Sequence, residues 1–231
     1  MTVAISQISS DSRSALLAGA SGLIGRSLLA QLLESPRYKR VHILLRRGLT
    51  DLPAHPKLTR AVVDFGNLPR LPAVDDVFIA LGTTIRTAGS QAAFRRVDFD
   101  AVLGTARAGK AAGAKRLLVV SALGADAGSR VFYNRVKGEM EQAVVALGYE
   151  TVVIAQPSLL VGDRASLGQP ARSGEQWAIR LLGPVIDWVP RSVRPIHAEV
   201  VAGAMIQAAA VARPGVTRLR SSEMQSQGMS G

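Results

Sequence analysis

The amino-acid sequence predicts a doubly wound α/β domain, in which helices cover both faces of a parallel sheet. Short runs of Val, Ile and Leu alternate with amphipathic segments over most of the 231 residues. Strands of a parallel sheet are buried on both faces and therefore have continuous apolar runs. A glycine-rich segment, Gly19–Gly25, connects the first apolar run to the first amphipathic one. We expect one domain over residues 14–215, with flexible tails at 1–13 and 221–231.

The first strand and the first helix flank the glycine-rich segment. The strand is predicted over Ala15–Ala18, and the helix has apolar residues at helical spacing from Ile24 onward. In such a unit one glycine allows a tight turn, a second lets a pyrophosphate approach the backbone, and a third lets the helix pack on the strand. The helix N-terminus also attracts phosphate. The residues expected to contact a dinucleotide are Gly19, Ser21, Gly22, Leu23, Ile24 and Gly25.

The alternation of strands and helices continues up to the segment that begins at Pro157. Further strands are predicted over 41–45, 61–64, 74–81, 116–121 and 151–155, and helices over 91–112, 132–147 and 198–211. The pattern then loosens, so residues 157–197 are predicted to form a small substrate or lid region. Trp177 and Trp188 in this region fit a lid, a dimer contact or core. A segment rich in Ser, Gln and Met begins at Ser221 and is predicted to be disordered.

The end of the second strand predicts which dinucleotide is bound. An Asp or Glu at this position would accept a hydrogen bond from the ribose 2′-OH and would repel a 2′-phosphate. The sequence has Arg46 and Arg47 there instead, and a guanidinium group matches the geometry of a phosphate. NADP(H) is therefore favoured over NAD(H). Two solvated surface arginines are the alternative interpretation.

The ends of the third and fourth strands supply further candidate contacts to the cofactor. Ligands of open α/β sheets lie beyond the carboxyl ends of the strands. Asp64 and Phe65 follow the third strand, where the Asp64 carboxylate could meet the adenine amino group or cap a turn. Leu81, Gly82 and Thr83 follow the fourth strand and are expected to line the cofactor ribose.

A serine, a tyrosine and a lysine are the candidate catalytic residues. Tyr133 and Lys137 are four residues apart and share one face of the predicted helix. A tyrosine hydroxyl has an ordinary pKa of about 10, and a nearby ammonium group lowers this pKa by favouring the phenolate. Ser121 ends the fifth strand and could orient a substrate oxygen, while Lys137 could also hold the nicotinamide ribose. This pattern predicts proton transfer coupled to hydride transfer, and a structural tyrosine–lysine pair is the alternative.

Together these motifs resemble a known protein superfamily. The glycine turn GASGLIG, Ser121, the YNRVK segment and the QPSLLVGDR segment resemble the short-chain dehydrogenase/reductase superfamily over roughly residues 14–212. The short chain and the ALGTTIRTAG segment are similar to its atypical branch, typified by the oxidoreductase-like Tat-interacting protein. The resemblance implies an NADP(H)-binding Rossmann domain with Ser121, Tyr133 and Lys137 as the active triad.

The resemblance also sets expectations for residues around this triad. Pro157 and Leu160 are expected to border the nicotinamide. Two residues depart from the superfamily pattern: Gln156 stands where an arginine commonly precedes the proline, and Asp98 stands where many reductases have a helix asparagine that completes a proton relay. Several members of the atypical branch bind cofactor and have no well-defined catalytic activity.

The sequence thus leads to three hypotheses of function. The first is an NADP(H)-dependent oxidoreductase that acts on a small carbonyl or alcohol. The second is a redox-silent NADP(H)-binding sensor or regulatory scaffold. The third, a sugar-nucleotide epimerase or dehydratase, ranks lowest because such enzymes usually have a larger carboxyl-terminal lobe than this chain offers.

Composition argues against several other classes of protein. The net charge is +11, but the basic residues are dispersed with few aromatic residues among them, which argues against a nucleic-acid partner. No apolar run is long enough to span a bilayer, and the chain has no cysteine. The histidines, His42, His55 and His197, are far apart, so no metal site is expected. The polar N-terminus lacks an apolar signal core, so we expect a cytoplasmic protein, and a homo-oligomer is compatible with the sequence.

Overall fold

The computed structural model describes residues 12–49, 52, 54–161 and 194–227. The strands within these ranges are β1 (Arg13–Ala18), β2 (Tyr38–Leu45), β3 (Leu58–Val62), β4 (Asp76–Ile79), β5 (Arg116–Val120), β6 (Thr151–Gln156), β7 (Leu160–Val161), β8 (Ile196–His197) and β9 (Gly215–Arg220). The helices are α1 (Leu23–Glu34), α2 (Ile85–Ala88), α3 (Gln91–Arg95), α4 (Val102–Ala111), α5 (Phe132–Val145), α6 (Ala198–Val211) and α7 (Ser221–Gln227). A π-helical turn, Arg96–Ala101, joins α3 to α4.

Seven of these strands form one parallel sheet in the order β3-β2-β1-β4-β5-β6-β9. The chain begins inside the sheet at β1, adds β2 and β3 on one side, and then adds the later strands on the other. The side on which new strands are added changes between β1 and β4. Sheets of this kind bind ligands beyond the carboxyl ends of the strands at that point. The doubly wound parallel fold predicted from the sequence is therefore confirmed.

Helices cover both faces of the sheet. α1 and α6 pack on one face, and α4 and α5 pack on the other. Leu16 and Leu17 of β1 are both fully buried, yet they belong to opposite faces because successive side chains of a strand point in opposite directions. Burial on both sides explains the continuous apolar runs of the central strands.

The observed bounds of several elements differ from the predicted ones, and the third strand and the helix predicted over 91–112 show the physical reasons. The third strand spans Leu58–Val62 rather than 61–64, and the Val62 side chain is 63% exposed. This strand lies at the edge of the sheet and pairs with β2 alone, so it lacks the apolar run that marks a central strand. The helix predicted over 91–112 is interrupted by the π-helical turn, whose hydrogen bonds span five residues and so rotate the side chains that follow.

The prediction of a disordered tail from Ser221 is wrong for the described part of that segment. β9 pairs with β6, and α7 follows it directly. Ser221 and Met224 are fully buried, so this polar segment belongs to the folded core. Its composition was misleading because only Ser221 and Met224 among residues 221–226 are buried, and the other four are partly or fully exposed. The folded domain thus extends from Arg13 past residue 215 to Gln227, beyond both predicted ends.

Only the two ends of the predicted substrate region fall within the described residues. β7 and β8 form a small parallel pair in which Leu160 lies opposite Ile196, and this pair was not predicted. Trp177 and Trp188 lie outside the described residues.

A buried ion cluster lies at the amino end of the sheet. Asp76 at the start of β4 is fully buried, and its carboxylate accepts hydrogen bonds from the Tyr38 hydroxyl, at 2.6 Å, and from the Arg116 guanidinium. Nη1 of Arg13 lies 3.7 Å from the same carboxylate. Burial, and after it the Asp76 charge, raise the pKa of Tyr38 well above its usual range, so the Tyr38 hydroxyl stays protonated and donates.

Candidate functional site

The glycine turn packs directly against the end of β4. Gly19 has φ +96°, and a Cβ atom added to it would lie 2.5 Å from the carbonyl carbon of Ala80. A Cβ atom added to Gly25 would lie 1.9 Å from the Gly19 carbonyl oxygen. Because the contacting atoms are backbone, neither position has room for a side chain. The roles predicted for these two glycines, a tight turn and close helix packing, agree with this geometry.

Gly22 differs from its two neighbours in the motif. A Cβ atom added to Gly22 would lie 3.5 Å from its nearest neighbour, the Gly19 carbonyl oxygen, which is an ordinary contact distance. Packing of the protein alone therefore does not require a glycine here. The position does suit close approach of a ligand to the backbone, as predicted for a pyrophosphate.

The N-terminus of α1 is suited to an anion. Gly22 is the N-cap and gives no side-chain cap, and this fully described helix has no acidic residue in its first turn. The first N–H groups of a helix lack partners within the helix, and the helix dipole adds positive potential. Ser21 is exposed and Leu23 is half-buried, whereas the Ile24 side chain is buried in the core, so any ligand contact of Ile24 must use its backbone N–H.

The candidate adenosine contacts lie at the carboxyl ends of β2 and β3. Arg46 and Arg47 are exposed directly after β2, beside the end of β1. The Asp64 carboxylate is exposed and accepts a hydrogen bond from the Gly66 N–H at 2.8 Å, which is the turn-capping role left open from the sequence. Phe65 is half-buried and packs against the core on the α4 side.

Two side chains from α3 and the π-helical turn lie against the tyrosine and the lysine of α5. The rings of Phe94 and Tyr133 have centroids 5.4 Å apart, and Asp98 Oδ1 lies 2.8 Å from Lys137 Nζ. Phe94 and Asp98 are four positions apart in their segment of the chain. Tyr133 and Lys137 are likewise four positions apart in α5. The two segments therefore meet in matching contacts, one aromatic and one ionic.

The loop Leu81–Thr83 after β4, called the cofactor loop below because the sequence predicts that it lines the cofactor ribose, lies against the same ion pair. Asp98 and Lys137 are buried, with 1% and 3% of their surfaces exposed. Asp98 Oδ2 accepts a hydrogen bond from the Thr83 N–H at 2.9 Å. A Cβ atom added to Gly82 would lie 3.4 Å from Asp98 Oδ1 and 4.0 Å from Lys137 Nζ. The structure thus brings the predicted Leu81–Thr83 segment together with the predicted catalytic lysine.

Ser121 lies directly after β5 and has a buried hydroxyl. Its surface is 4% exposed, and its Oγ has no hydrogen-bond partner within the described residues. The loop that follows Ser121 is fixed on α5, because the Asp126 N–H donates to the Asn134 carbonyl at 3.0 Å. The absence of a side chain at Gly138 lets the loop lie close to α5. A Cβ atom added to Gly138 would lie 2.1 Å from the Ala127 nitrogen.

The segment after β6 joins the same loop. The Leu123 N–H donates to the carbonyl of Pro157, which is buried, at 2.9 Å. The Gln156 side chain donates to the buried Glu141 carboxylate of α5 at 2.9 Å, so the described contact of this unusual glutamine is structural. Leu160 is half-buried and packs on the core beside α6.

Sequence reasoning missed several residues that shape this site. Asp98 was noted only as a departure from a pattern, and its contact with Lys137 was not expected. The contact of Phe94 with Tyr133 was not predicted, and Gly138 was not singled out at all. A glycine directly after the Tyr-x-x-x-Lys spacing is a signal that could have found Gly138, because a mid-helix glycine costs stability unless close packing needs it.

The geometry defines a class of protein, and comparison with known proteins defines its family. A parallel sheet with this strand order and a glycine turn at its switch point is typical of an NAD(P)-binding Rossmann domain. A family model described as NAD(P)H-binding matches residues 19–160. The chain belongs to this NAD(P)H-binding family, which confirms the NAD(P)-binding Rossmann domain expected from the sequence.

Two relatives are similar over most of the chain. Protein HTATIP2 of Rattus norvegicus is 36% identical over 190 residues, which cover 80% of this chain and 76% of that protein. Protein fmp52, mitochondrial, of Emericella nidulans is 35% identical over 177 residues, which cover 73% of this chain and 76% of that protein.

Solved structures share the fold at low sequence identity. MoeE5 in complex with UDP-glucose and NAD has a TM-score of 0.67 and 19% identity, and the match covers 90% of this chain and 76% of that one. UDP-N-acetylglucosamine 4-epimerase from Methanobrevibacter ruminantium M1 has a TM-score of 0.68 and 19% identity, with the same coverage. Likeness at this level of identity supports the fold alone.

The described ranges contain neither a membrane-spanning helix nor a metal-binding cluster of side chains. No helix there is long and apolar enough to cross a bilayer. Likewise, among the residues that the structure describes, no three His, Asp or Glu side chains form a group that could hold a metal ion.

Proposed function

We propose that this protein is an NADP(H)-dependent oxidoreductase that interconverts a small carbonyl compound and the corresponding alcohol. The observation that carries the proposal is the contact of the cofactor loop with the candidate lysine: Gly82 and Thr83 lie against the buried pair of Asp98 and Lys137. Tyr133 precedes Lys137 by about one helical turn on the same helix face. A dinucleotide beyond the ends of β1 and β4 would therefore meet a lysine and a tyrosine suited to proton transfer.

The residues present suit this cofactor and its substrate. Gly22 leaves space for close approach to the backbone at the N-terminus of α1. The Ser121 hydroxyl is buried without a partner in the described part of the chain, which is the state expected of a donor that awaits a ligand oxygen. Both features lie at the carboxyl edge of the sheet, where ligands of this fold bind.

The chain's own residues would supply the proton. When bound, NADPH supplies the hydride that reduces the carbonyl carbon. Ser121 donates a hydrogen bond to the carbonyl oxygen, and Tyr133 transfers its hydroxyl proton to the same oxygen, which yields the alcohol and leaves a phenolate on Tyr133. The Lys137 ammonium stabilises this phenolate by its charge. Oxidation of the alcohol follows the same steps in reverse.

The test of this proposal is the Tyr133→Phe variant. We expect it to abolish turnover and to leave NADPH affinity nearly intact, because the ring and its contact with Phe94 are retained. Lys137→Met is the matched comparison and should weaken both turnover and cofactor binding. NADPH consumption with a panel of aldehydes, ketones and quinones, and NADPH titration by fluorescence, measure the two effects. Equal turnover in Tyr133→Phe and wild type would refute the proposed mechanism.

The preference for the phosphorylated cofactor is part of the proposal and has its own test. Arg46 and Arg47 are exposed at the end of β2, where the 2′-phosphate of the adenosine ribose would lie. Replacing both by Ala should weaken NADPH binding about 100-fold and NADH binding much less, since charge-assisted phosphate contacts are strong. An unchanged ratio of the two dissociation constants would refute the phosphate assignment.

A second candidate function is redox-silent binding of NADP(H) by a sensor or regulatory scaffold. The observation that favours it is the Asp98 carboxylate, which lies 2.8 Å from the Lys137 ammonium. Its negative charge offsets the positive charge of Lys137, so the lysine stabilises a Tyr133 phenolate less. Tight NADPH binding with no cofactor consumption across the carbonyl panel would favour the sensor. Consumption with any panel member would favour the enzyme.

The cellular location belongs to the proposal as well. A cytoplasmic location is our prediction, although the fmp52 relative carries the word mitochondrial in its name. Cell fractionation with compartment markers separates the two locations, and recovery of the protein with mitochondria would contradict the prediction.

A further inference from the structure

We propose that Ser158 and Ser221 are positioning residues, which fix the segment after β6 beside the cofactor site by joining it to the helix α7. Ser158 lies between Pro157 and Leu160, the two residues that are expected to border the nicotinamide. The inference rests on the proposed function for its effect on turnover, whereas its effect on cofactor affinity is measurable without turnover. Its basis is a contact between the two serine hydroxyl groups, whose oxygen atoms lie 2.8 Å apart.

The register of the parallel sheet brings the two serines together. β9 pairs with β6 so that Gln156 lies opposite Arg220, and both strands end at this pair. Ser221 follows Arg220 directly, and Ser158 follows Gln156 by two residues. Two segments that leave neighbouring parallel strands at the same level therefore meet at the carboxyl edge of the sheet, which is the edge where ligands of this fold bind.

The direction of the hydrogen bonds follows from the number of protons. A serine hydroxyl has one proton, and that of Ser158 is donated to the Arg194 carbonyl. The Ser221 hydroxyl must therefore donate to Ser158 Oγ. The Gln225 amide donates to Ser221 Oγ at 3.2 Å and to the Arg194 carbonyl at 3.4 Å, which closes a ring of four groups. Linked hydrogen bonds polarise one another, so the ring strengthens the contact between the two serines.

The helix α7 is a fixed anchor because its inner side is buried. Ser221 and Met224 are fully buried, and Met224 belongs to the same hydrophobic core as Ile196. The start of the helix is held by the Arg220 N–H, which donates to the Glu223 carboxylate at 2.7 Å. Since Ser221 has no exposed surface, bulk water does not contact its hydroxyl, and the loss of its serine partner is not compensated.

The segment after β6 connects this anchor to the Ser121 loop. The Ser158 side chain contacts α7, while the carbonyl of the preceding Pro157 accepts the Leu123 N–H at 2.9 Å. A displacement of Ser158 therefore moves Pro157 at the nicotinamide end of the proposed cofactor site. The glycine turn lies at the end of β1, three strands away in the sheet, so the pyrophosphate site should not change.

The experiment compares NADPH with a fragment of it in Ser158→Ala and Ser221→Ala variants of the full chain. The fragment 2′-phospho-ADP-ribose has the adenosine half and the pyrophosphate of the cofactor but lacks the nicotinamide. Each variant should weaken NADPH binding about tenfold, the effect of losing roughly one hydrogen bond, and should bind the fragment as wild type does. The kcat for carbonyl reduction should also fall about tenfold, because the nicotinamide is less well oriented. Calorimetric titration and steady-state kinetics measure these effects.

Two further variants test whether the serines act through their contact. Because one contact is lost in either single variant, the double variant should weaken NADPH binding no more than one substitution does. Ser226 is an exposed serine of the same helix, and its hydroxyl donates to the Glu223 carbonyl at 2.8 Å. Ser226→Ala is therefore the matched control and should bind NADPH as wild type does.

The ratio of the two dissociation constants decides the inference. An unchanged ratio in either folded alanine variant, or additive losses in the double variant, would overturn it even if the free energy of unfolding falls. If one single variant does not fold, the other is used for the comparison, and Gln225→Met is used if neither folds. If wild type turns over no carbonyl compound, the proposed function fails, while a selective loss of NADPH affinity still supports the positioning role.

Discussion

The two ends of the parallel sheet each contain a buried aspartate, and the two differ in whether the nearby side-chain hydroxyl has a hydrogen-bond partner in the described structure. At the amino end, Asp76 is contacted by Tyr38, Arg116 and Arg13. At the carboxyl end, Asp98 contacts Lys137 and Thr83, and the nearby strand end presents a Ser121 hydroxyl that lacks a partner within the described structure.

We infer from this difference that the cluster at the amino end is structural, and the difference is consistent with the function proposed for the residues at the carboxyl end. Buried polar groups with complete partners fix the packing of the elements that carry them. A buried hydroxyl without a partner costs stability, and such groups persist where a ligand later supplies the missing contact. We therefore expect changes at the amino end to affect stability alone, and changes at the carboxyl end to affect turnover more than stability.

The largest expected effect on stability is at the amino end. Asp76→Ala removes the common partner of two arginines and a tyrosine, and breaking a buried ion pair costs about 3–5 kcal/mol. The free energy of unfolding, measured by denaturant titration, should fall by this amount, while turnover per folded molecule should stay as in wild type.

The neighbouring residue Asp75 provides the matched control for Asp76. Its exposed carboxylate accepts one hydrogen bond, from the Ser14 N–H at 2.7 Å. Asp75→Ala should therefore cost only about 1 kcal/mol. Equal losses in the two variants, or lost turnover in folded Asp76→Ala, would contradict a purely structural amino end.

The glycine turn at the carboxyl edge was predictable because its requirements are local. The spacing of Gly19, Gly22 and Gly25 follows from a turn and a helix start that lie within seven residues of the chain. The central strands were predictable for a similar reason, since burial on both faces gives a continuous apolar run. Sequence reasoning placed Ser121 at the end of the fifth strand and Thr83 after the fourth, close to where the structure has them, although β4 ends at Ile79 rather than at 81.

The contacts across the site were not predictable, because they join segments far apart in the chain. Asp98, which contacts Lys137, lies in a π-helical turn, and helical periodicity assumes regular turns and so does not predict where its side chain points. The strand β9 and helix α7 were missed for a different reason. Their composition is polar, and the buried residues Ser221 and Met224 follow no apolar pattern.

An intermediate effect is expected where the Ser121 loop meets α5. In Gly138→Ala the new methyl group would lie 2.1 Å from the Ala127 nitrogen, so backbone must move. Overpacking of this kind costs about 1–3 kcal/mol. Because the displaced loop begins at Ser121, turnover per folded molecule should fall at least about tenfold.

Gly104 in α4 is the matched control for Gly138. A Cβ atom added there would lie 3.6 Å from the Phe65 carbonyl oxygen, so the space exists. Gly104→Ala should raise the free energy of unfolding by about 0.5–1 kcal/mol, because alanine favours a helix over glycine. Thermal unfolding and steady-state kinetics of both variants measure these effects. Unchanged turnover in Gly138→Ala would mean that the loop does not position Ser121.

The smallest effect on stability, with the opposite sign, is expected for Ser121→Ala. Removing a buried hydroxyl that has no partner in the described structure removes its desolvation cost, so the free energy of unfolding should rise by up to about 1 kcal/mol. Turnover should fall about 100-fold, because loss of one donor to a reacting oxygen has an effect of this size. Denaturant titration and kcat measure the two changes in one protein preparation. A loss of stability without a loss of turnover would mean that Ser121, like Asp76, has a structural role. The two ends of the sheet would then not differ in function.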